Sequence, residues 1–224
     1  MELRQRLAEH LPMFGLEVRT PRLLLRYPDD EDALALAELG AMGVHDPGTQ
    51  PFSILWTSVP PPHQQRNTLA FLWDQRSTAQ RDDWHLPLVT VVDGEVVGTQ
   101  GVLASSWTVL RQVETGSWLG RAHQGRGLGT EMRAAALHLA FAGFGAVRAT
   151  TGAWHDNGAS LTVTRRLGYR PNGDRLAVRE GEAVVMEGFV MDRADWEPHR
   201  RDDIELVGAE AVAALFGTER PPGS

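Results

Sequence analysis

Residues Gln124-Gly125-Arg126-Gly127-Leu128-Gly129-Thr130 carry the most specific chemical signal in the sequence, three glycines on alternate positions between a strand pattern and a helix pattern. Glycines so spaced let the chain curl until several backbone N–H groups point inward, and no Cβ holds an anion away. The helix that follows adds unpaired donors and the positive end of its dipole, an arrangement suited to a pyrophosphate. Two other phosphate motifs fail here. A Walker loop needs Gly-Lys-Ser/Thr after four spacer residues, and a dinucleotide fingerprint would need glycine at Met132 or Leu128. The spacing that does fit is Gln/Arg-x-x-Gly-x-Gly/Ala, met by Gln124, Gly127 and Gly129. Taken alone, the stretch also fits a glycine-rich turn that holds nothing.

Other chemistries are excluded by residue type. The chain has no cysteine, so disulfides, thiolate zinc sites and a cysteine nucleophile are ruled out. All 22 basic residues are arginine, which removes a P-loop lysine, a Schiff base and self-acylation on lysine. None of the eight histidines has metal-ligand spacing, and no His-Glu-x-x-His occurs, so no metal is expected. His45 and His155 read as solvated loop residues. No Gly-x-Ser-x-Gly elbow points to a hydrolase.

The 224 residues suit one globular domain, with 42% hydrophobic and 23% charged residues. No apolar run approaches the ~20 residues of a membrane span, and the start Met1-Glu2-Leu3-Arg4 lacks a signal-like apolar stretch. The expectation is a cytoplasmic protein with no membrane partner. A net charge of −7 disfavours nucleic acid and suits cationic amines.

Stepping outward to the elements, Leu23–Arg26 reads as a strand. Asp29 and Asp30 offer caps for a helix from Glu31 to Leu39 closed by Gly40. Residues 41–62 break every period and read as a surface loop with an apolar part at Phe52, Ile54, Leu55 and Trp56; a helix follows from His63 to Ser77. Asp93-Gly94 between Leu88–Val92 and Glu95–Val97 marks a tight hairpin. Gln112–Leu119 is a strand and Thr130–Phe144 a helix. Ala146–Ala153 is a strand, Asn157–Leu167 a helix stopped by Gly168, and Val184–Met191 a late strand. A short helix near Ala209–Leu215 precedes an end, Pro221–Ser224, expected to fray. The sum is an α+β mixed sheet.

Glu114-Thr115-Gly116-Ser117-Trp118-Leu119, the glycine stretch with Glu131, Asn157-Gly158-Ala159-Ser160 and Leu167-Gly168-Tyr169 together resemble the GNAT acetyltransferases of RimJ/RimL type, in order from about Leu23 to Trp196. The resemblance implies a mostly antiparallel sheet flanked by helices and splayed between its two central strands. The acyltransferase domain would span 1–196, with a partly helical extension at 197–224. It implies acetyl-CoA as donor, or succinyl-CoA or another short acyl-CoA, and an amine acceptor that is a small molecule or a protein N-terminus. A non-catalytic acyl-CoA-binding protein is the other reading, and a homo-oligomer is compatible with Phe52–Trp56 or the tail covering a neighbour.

On that resemblance, residues Gln124, Gly125, Arg126, Gly127, Leu128, Gly129 and Thr130 form the coenzyme cradle. Glu114 takes the amine proton directly or through water. Backbone N–H groups at Trp118 and Leu119 hold the thioester oxygen. Asn157 bonds the pantetheine arm, or else merely caps its helix. Ser160 donates to the departing sulfur, because Thr164 stands where many members carry a tyrosine.

Overall fold

The computed structural model describes residues 3–79 and 81–217, so Pro221–Ser224 lies outside them. Nine strands form one sheet: β1 (Glu17–Arg19), β2 (Leu24–Arg26), β3 (Trp84–Val92), β4 (Glu95–Ala104), β5 (Gln112–Leu119), β6 (Arg148–Trp154), β7 (Arg170–Arg179), β8 (Glu182–Asp192) and β9 (Glu205–Val207). Their order is β7-β8-β6-β5-β4-β3-β2-β1-β9. Among the described residues only β5 and β6 run parallel, because the helix-containing crossover between them returns the chain in the same direction. The helices are α1 (Leu3–Ala8), α2 (Asp30–Met42), α3 (His63–Thr78), α4 (Trp107–Leu110), α5 (Leu128–His138), α6 (Gly158–Arg166), α7 (Arg193–Trp196) and α8 (Ala209–Leu215).

The two faces of the sheet bury different partners. On one, Met132, Ala136, Leu137 and Leu139 of α5 and its extension join Leu161 of α6 over Leu86, Val102, Val113 and Leu119. On the other, Ala33 and Leu36 of α2 and Leu72 of α3 pack on Val89 and Val91. This α2–α3 layer is thin, and its helices turn many polar residues outward. Residues 197–217 pack on the main body. β9 pairs with β1, and Phe216 stacks on Trp84 with centroids 4.5 Å apart.

Most sequence-derived elements hold, with physical reasons for the differences. Asp29 caps α2 by accepting from the Asp32 amide, but the helix runs through Gly40 to Met42. Gly40 does not end it; a Cβ there would lie 3.1 Å from the Trp56 ring, so the glycine admits a tryptophan. Gly43, at φ 111°, is the true stop. Leu139–Gly143 extends α5 as one π-helical turn. Strands β1, β7 and β9 had no readable period. β7 is almost wholly exposed, and its register slips between Pro171 and Asp174, so nothing in it alternates.

What positions the site is a fork. β5 pairs with β6 only at Gln112↔Arg148, Val113↔Ala149 and Glu114↔Thr150. Past that point β5 stays on β4 and β6 stays on β8, so the two strands part. The Thr151 hydroxyl donates to the Thr115 carbonyl at 2.9 Å and closes the base of the fork.

Candidate active site

Gly125 and Gly127 take left-handed φ of 75° and 78°, a conformation that strains any residue with a Cβ and is unstrained for glycine. Gly127 is the N-cap of α5, and no side chain caps the helix. The first-turn amides therefore keep their donors for something else. Leu128 is buried under the loop and anchors it, Gly129 and Thr130 are half-buried, and Arg126 is exposed. The Gln124 side chain serves the frame: its amide nitrogen donates to the Val44 and Leu119 carbonyls at 2.8 and 2.9 Å.

Beneath the cradle lies an ion pair with no periodic signal in the sequence. Arg22 Nε donates to Glu131 Oε2 at 2.6 Å, and Thr20 Oγ1 donates to Glu131 Oε1 at 2.6 Å. Arg22 Nη1 also donates to the Arg126 carbonyl at 3.0 Å, tying the turn between β1 and β2 to the loop. Burial pushes the Glu131 carboxyl up, but the Thr20 and Arg22 hydrogen bonds and the Arg22 charge outweigh it and hold the group below its usual range. A Cβ on Gly127 would stand 3.6 Å from Arg22 Nη2, so this cation sits at the rim of the nest.

Amide direction along β5 follows from its pairing with β4. The Gly116 carbonyl accepts from Gln100 Nε2 of β4, and the Gly120 amide reaches Val97 of β4. In an antiparallel ladder N–H and C=O of one residue point to the same neighbour, and successive residues alternate. Gly116 and Trp118 therefore face β4, whereas Ser117 and Leu119 direct their amides into the fork. Of the expected pair, the Leu119 amide points into the gap and the Trp118 amide toward β4. The Trp118 ring packs against Trp56, with centroids 5.3 Å apart.

On the α5–α6 face, Asn157 caps α6 by accepting from the Ser160 amide at 3.1 Å. That is its bland role, and it leaves the Asn157 side-chain NH2 to donate elsewhere. Ser160 is half-buried in the first turn of α6. Thr164, one turn on, is fully buried.

On the opposite face stands Glu114, exposed, at the last rung before β5 and β6 part. Next on that face is Gly116, above which nothing lies within 4 Å of where a Cβ would be, and then Trp118. A cleft of about 250 Å³ opens from Glu114 across Thr150, Gly152, Asp174, Arg175 and Glu187. Glu187, paired with Ala153, turns its carboxylate to the α5–α6 face, 3.4 Å from Arg165, whereas Arg175 meets Met186 on the Glu114 side. His85 of β3 shares this face; its Nε2 would be 2.7 Å from a Cβ on Gly101, so that glycine makes room for the ring. Burial pushes the His85 pKa down to about 4, leaving a neutral imidazole. Sequence reasoning missed His85 because a lone histidine on a strand carries no spacing signal.

Among the described residues no group of three or more His, Asp or Glu is placed to hold a metal ion, and no helix is long and apolar enough to cross a membrane.

Comparison with known proteins follows this geometry. A family model described as an acetyltransferase (GNAT) domain matches residues 22–170. Among solved structures, the ribosomal L7/L12 alpha-N-protein acetyltransferase RimL in complex with coenzyme A is 20% identical, with 77% of this chain and 95% of that one covered and a TM-score of 0.63. The microcin C7 self immunity acetyltransferase MccE, in complex with acetyl-CoA and AMP, is 16% identical over 77% and 93% of the chains, with a TM-score of 0.61. A GCN5-related N-acetyltransferase from Brucella melitensis is 19% identical over 80% of each chain, with a TM-score of 0.62. At these identities the likeness establishes the fold.

Proposed function

Because the chain belongs to the GNAT acetyltransferase family, we propose that it transfers an acetyl group from acetyl-CoA to a primary amine by direct attack in a ternary complex. The observation that supports this best is the fork, with an uncapped helix start on one side of β5 and Glu114 on the other. The two substrates approach from opposite faces and meet where the strands part.

The pyrophosphate lies on the amides of Gly125–Thr130, with Arg22 at its rim. The pantetheine arm enters the fork, where the Ser117 and Leu119 amides and the Asn157 side-chain NH2 replace the missing β6 pairing. The acceptor amine reaches the carbonyl carbon over Gly116. Its nitrogen forms the new bond, the proton passes to Glu114 or to water held by it, and the carbonyl oxygen gathers charge beside the Leu119 amide. The C–S bond then breaks, and the electron pair leaves with sulfur, to which the Ser160 hydroxyl donates a hydrogen bond while water supplies the proton. Holding both reactants in one geometry supplies much of the rate.

Acetyl fits as donor because it needs only a small apolar slot, whereas succinyl would bring a carboxylate requiring a partner. Glu114, the carboxylate at the fork on the acceptor face, suits a cationic amine. RimL is described as an alpha-N-protein acetyltransferase, so a protein N-terminus belongs among the acceptors beside small amines. The same chemistry places the enzyme in the cytoplasm, where acetyl-CoA is supplied.

The test is calorimetric titration with acetyl-CoA, then mass spectrometry of a panel of peptides and polyamines incubated with acetyl-CoA or succinyl-CoA. Saturable acetyl-CoA binding with an acetylated amine supports the assignment. Binding without transfer to any amine would leave a coenzyme-responsive binding protein instead.

A further inference from the structure

Arg133 is the least expected residue in the molecule. It projects from the second turn of α5 and is only 4% exposed. Among the described residues no carboxylate lies within ion-pair distance of it. Its Nη1 donates to Thr164 Oγ1 at 2.8 Å and its Nη2 to Ser117 Oγ at 3.3 Å, while Nε has no partner. A buried charge is ordinarily paired, because leaving it alone costs several kcal/mol. Burial lowers the Arg133 pKa, with the Tyr169 hydroxyl opposing, but an arginine starts so high that it keeps its proton at neutral pH. A full positive charge thus lies unneutralised under β5.

Its place says what negative charge it meets. Ser117 is on the stretch of β5 that has left β6. Thr164 is four residues after Ser160, on the same side of α6 and one turn deeper. Arg133 therefore joins the fork wall to the helix face that Ser160 opens. Arginine has donors only, so both hydroxyls must accept from it and turn their own protons elsewhere. Ser117, half-buried at the fork, has its proton free for an acceptor in the gap.

We propose that Arg133 is a positioning residue for the coenzyme leaving group: its charge, held in place by Thr164 and relayed by the Ser117 hydroxyl, stabilises the CoA thiolate as the C–S bond breaks. This rests on the acyl-CoA site proposed above. When the amine nitrogen takes the acyl carbon, the sulfur departs with the bonding pair, and it is this anion that the guanidinium stabilises before water returns a proton. The vacant pairing of Arg133 in the resting protein is filled only while the thiolate exists, which directs the interaction to the transition state.

The chain offers an unusually clean test. It has no cysteine, so any thiolate absorbance in a complex with CoA comes from the coenzyme alone. Its two tyrosines, Tyr27 and Tyr169, are both pushed up by burial and stay protonated in the useful window. The pKa of the bound CoA thiol is read by ultraviolet titration of the CoA complex, with CoA binding measured in parallel by calorimetry. A free thiol of this kind ionises near about 8.5. The expected wild-type value is about one unit lower, a tenfold gain in thiolate. Arg133→Met should return it to the free value at unchanged CoA affinity, lower kcat about tenfold and leave KM for acyl-CoA alone, while Arg133→Lys should retain part of the shift. A wild-type thiol that titrates as free CoA does overturns the proposal, and needs no variant to fold. So does the same shift in wild type and in folded Arg133→Met. If Arg133→Met does not fold, the doubly substituted Ser117→Ala, Thr164→Val protein keeps the charge but removes the relay, and an unmoved thiol pKa there also overturns it. A preference for succinyl-CoA that disappears in Arg133→Met, with no thiol shift, overturns it too and gives the guanidinium to an acyl carboxylate. Failure of wild type to bind CoA at all would instead sink the acyl-CoA site itself.

Discussion

The two faces of β5 are built on different principles. The coenzyme face is made largely of backbone: left-handed glycines, an uncapped helix start, and amides released where β5 leaves β6. The acceptor face is made of side chains: Glu114 beside an empty Gly116, Trp118 under Trp56, and His85 over Gly101. Backbone geometry dictates residue type, so the first face writes itself into a motif. A side-chain surface admits many solutions, so the second leaves no pattern.

The largest expected effect is on the backbone-built face. Gly127→Val places a β-branched residue at φ 78° and a side chain toward Arg22, so the loop must leave its nest conformation. Acetyl-CoA affinity should fall about 10³-fold by calorimetry, from backbone strain and lost amide contacts together, with the fold retained. Unchanged affinity would show that the phosphates lie elsewhere.

On the acceptor face, Glu114→Gln removes the group at the fork that takes the amine proton. Free amine is scarce at neutral pH, since a lysine-like amine has a pKa of about 10.4, so turnover should fall about 10³-fold there and recover in part at high pH. Acetyl-CoA affinity should not change. A loss that is flat across pH would make Glu114 a positioning residue only.

Returning to the coenzyme face, Ser160→Ala should slow the chemical step about 10²-fold in single-turnover kinetics. Binding of a non-hydrolysable acyl-CoA should be untouched, because Asn157 caps the helix through the Ser160 amide rather than the hydroxyl. Normal chemistry would return Ser160 to helix filler.

The last effect is on stability and belongs to the acceptor face alone. The folded His85 pKa of about 4 lies below the unfolded value of about 6.5, so the unfolded chain binds the extra proton between them. The stability linked to this site is therefore present above about pH 6.5 and lost as pH falls toward 4, by up to about 3 kcal/mol. His85→Leu should flatten that acid limb in thermal melts taken across pH. Parallel melting curves for the two proteins would place the acid sensitivity elsewhere.

The same division explains what could be read in advance. The cradle, the hairpin at Asp93-Gly94, β5 and α6 were legible because glycine, turn residues and helical period each leave a local mark. The Arg22–Glu131 pair joins residues more than a hundred positions apart, and the Arg133 network joins β5, α5 and α6. Such contacts depend on tertiary approach, which no local spacing encodes. Gly40 shows the converse error: a glycine taken as a helix stop serves instead to admit Trp56.

The most direct measurement follows the acyl group itself. Enzyme, acetyl-CoA with an isotope in the acetyl carbon, and an accepted amine are mixed for a single turnover, quenched in time, and the protein and amine fractions counted separately. Direct attack at the fork requires label to reach the amine only when both substrates are present, with none on the chain at any time. Label that accumulates on the protein and then drains into the amine at the turnover rate would contradict direct transfer.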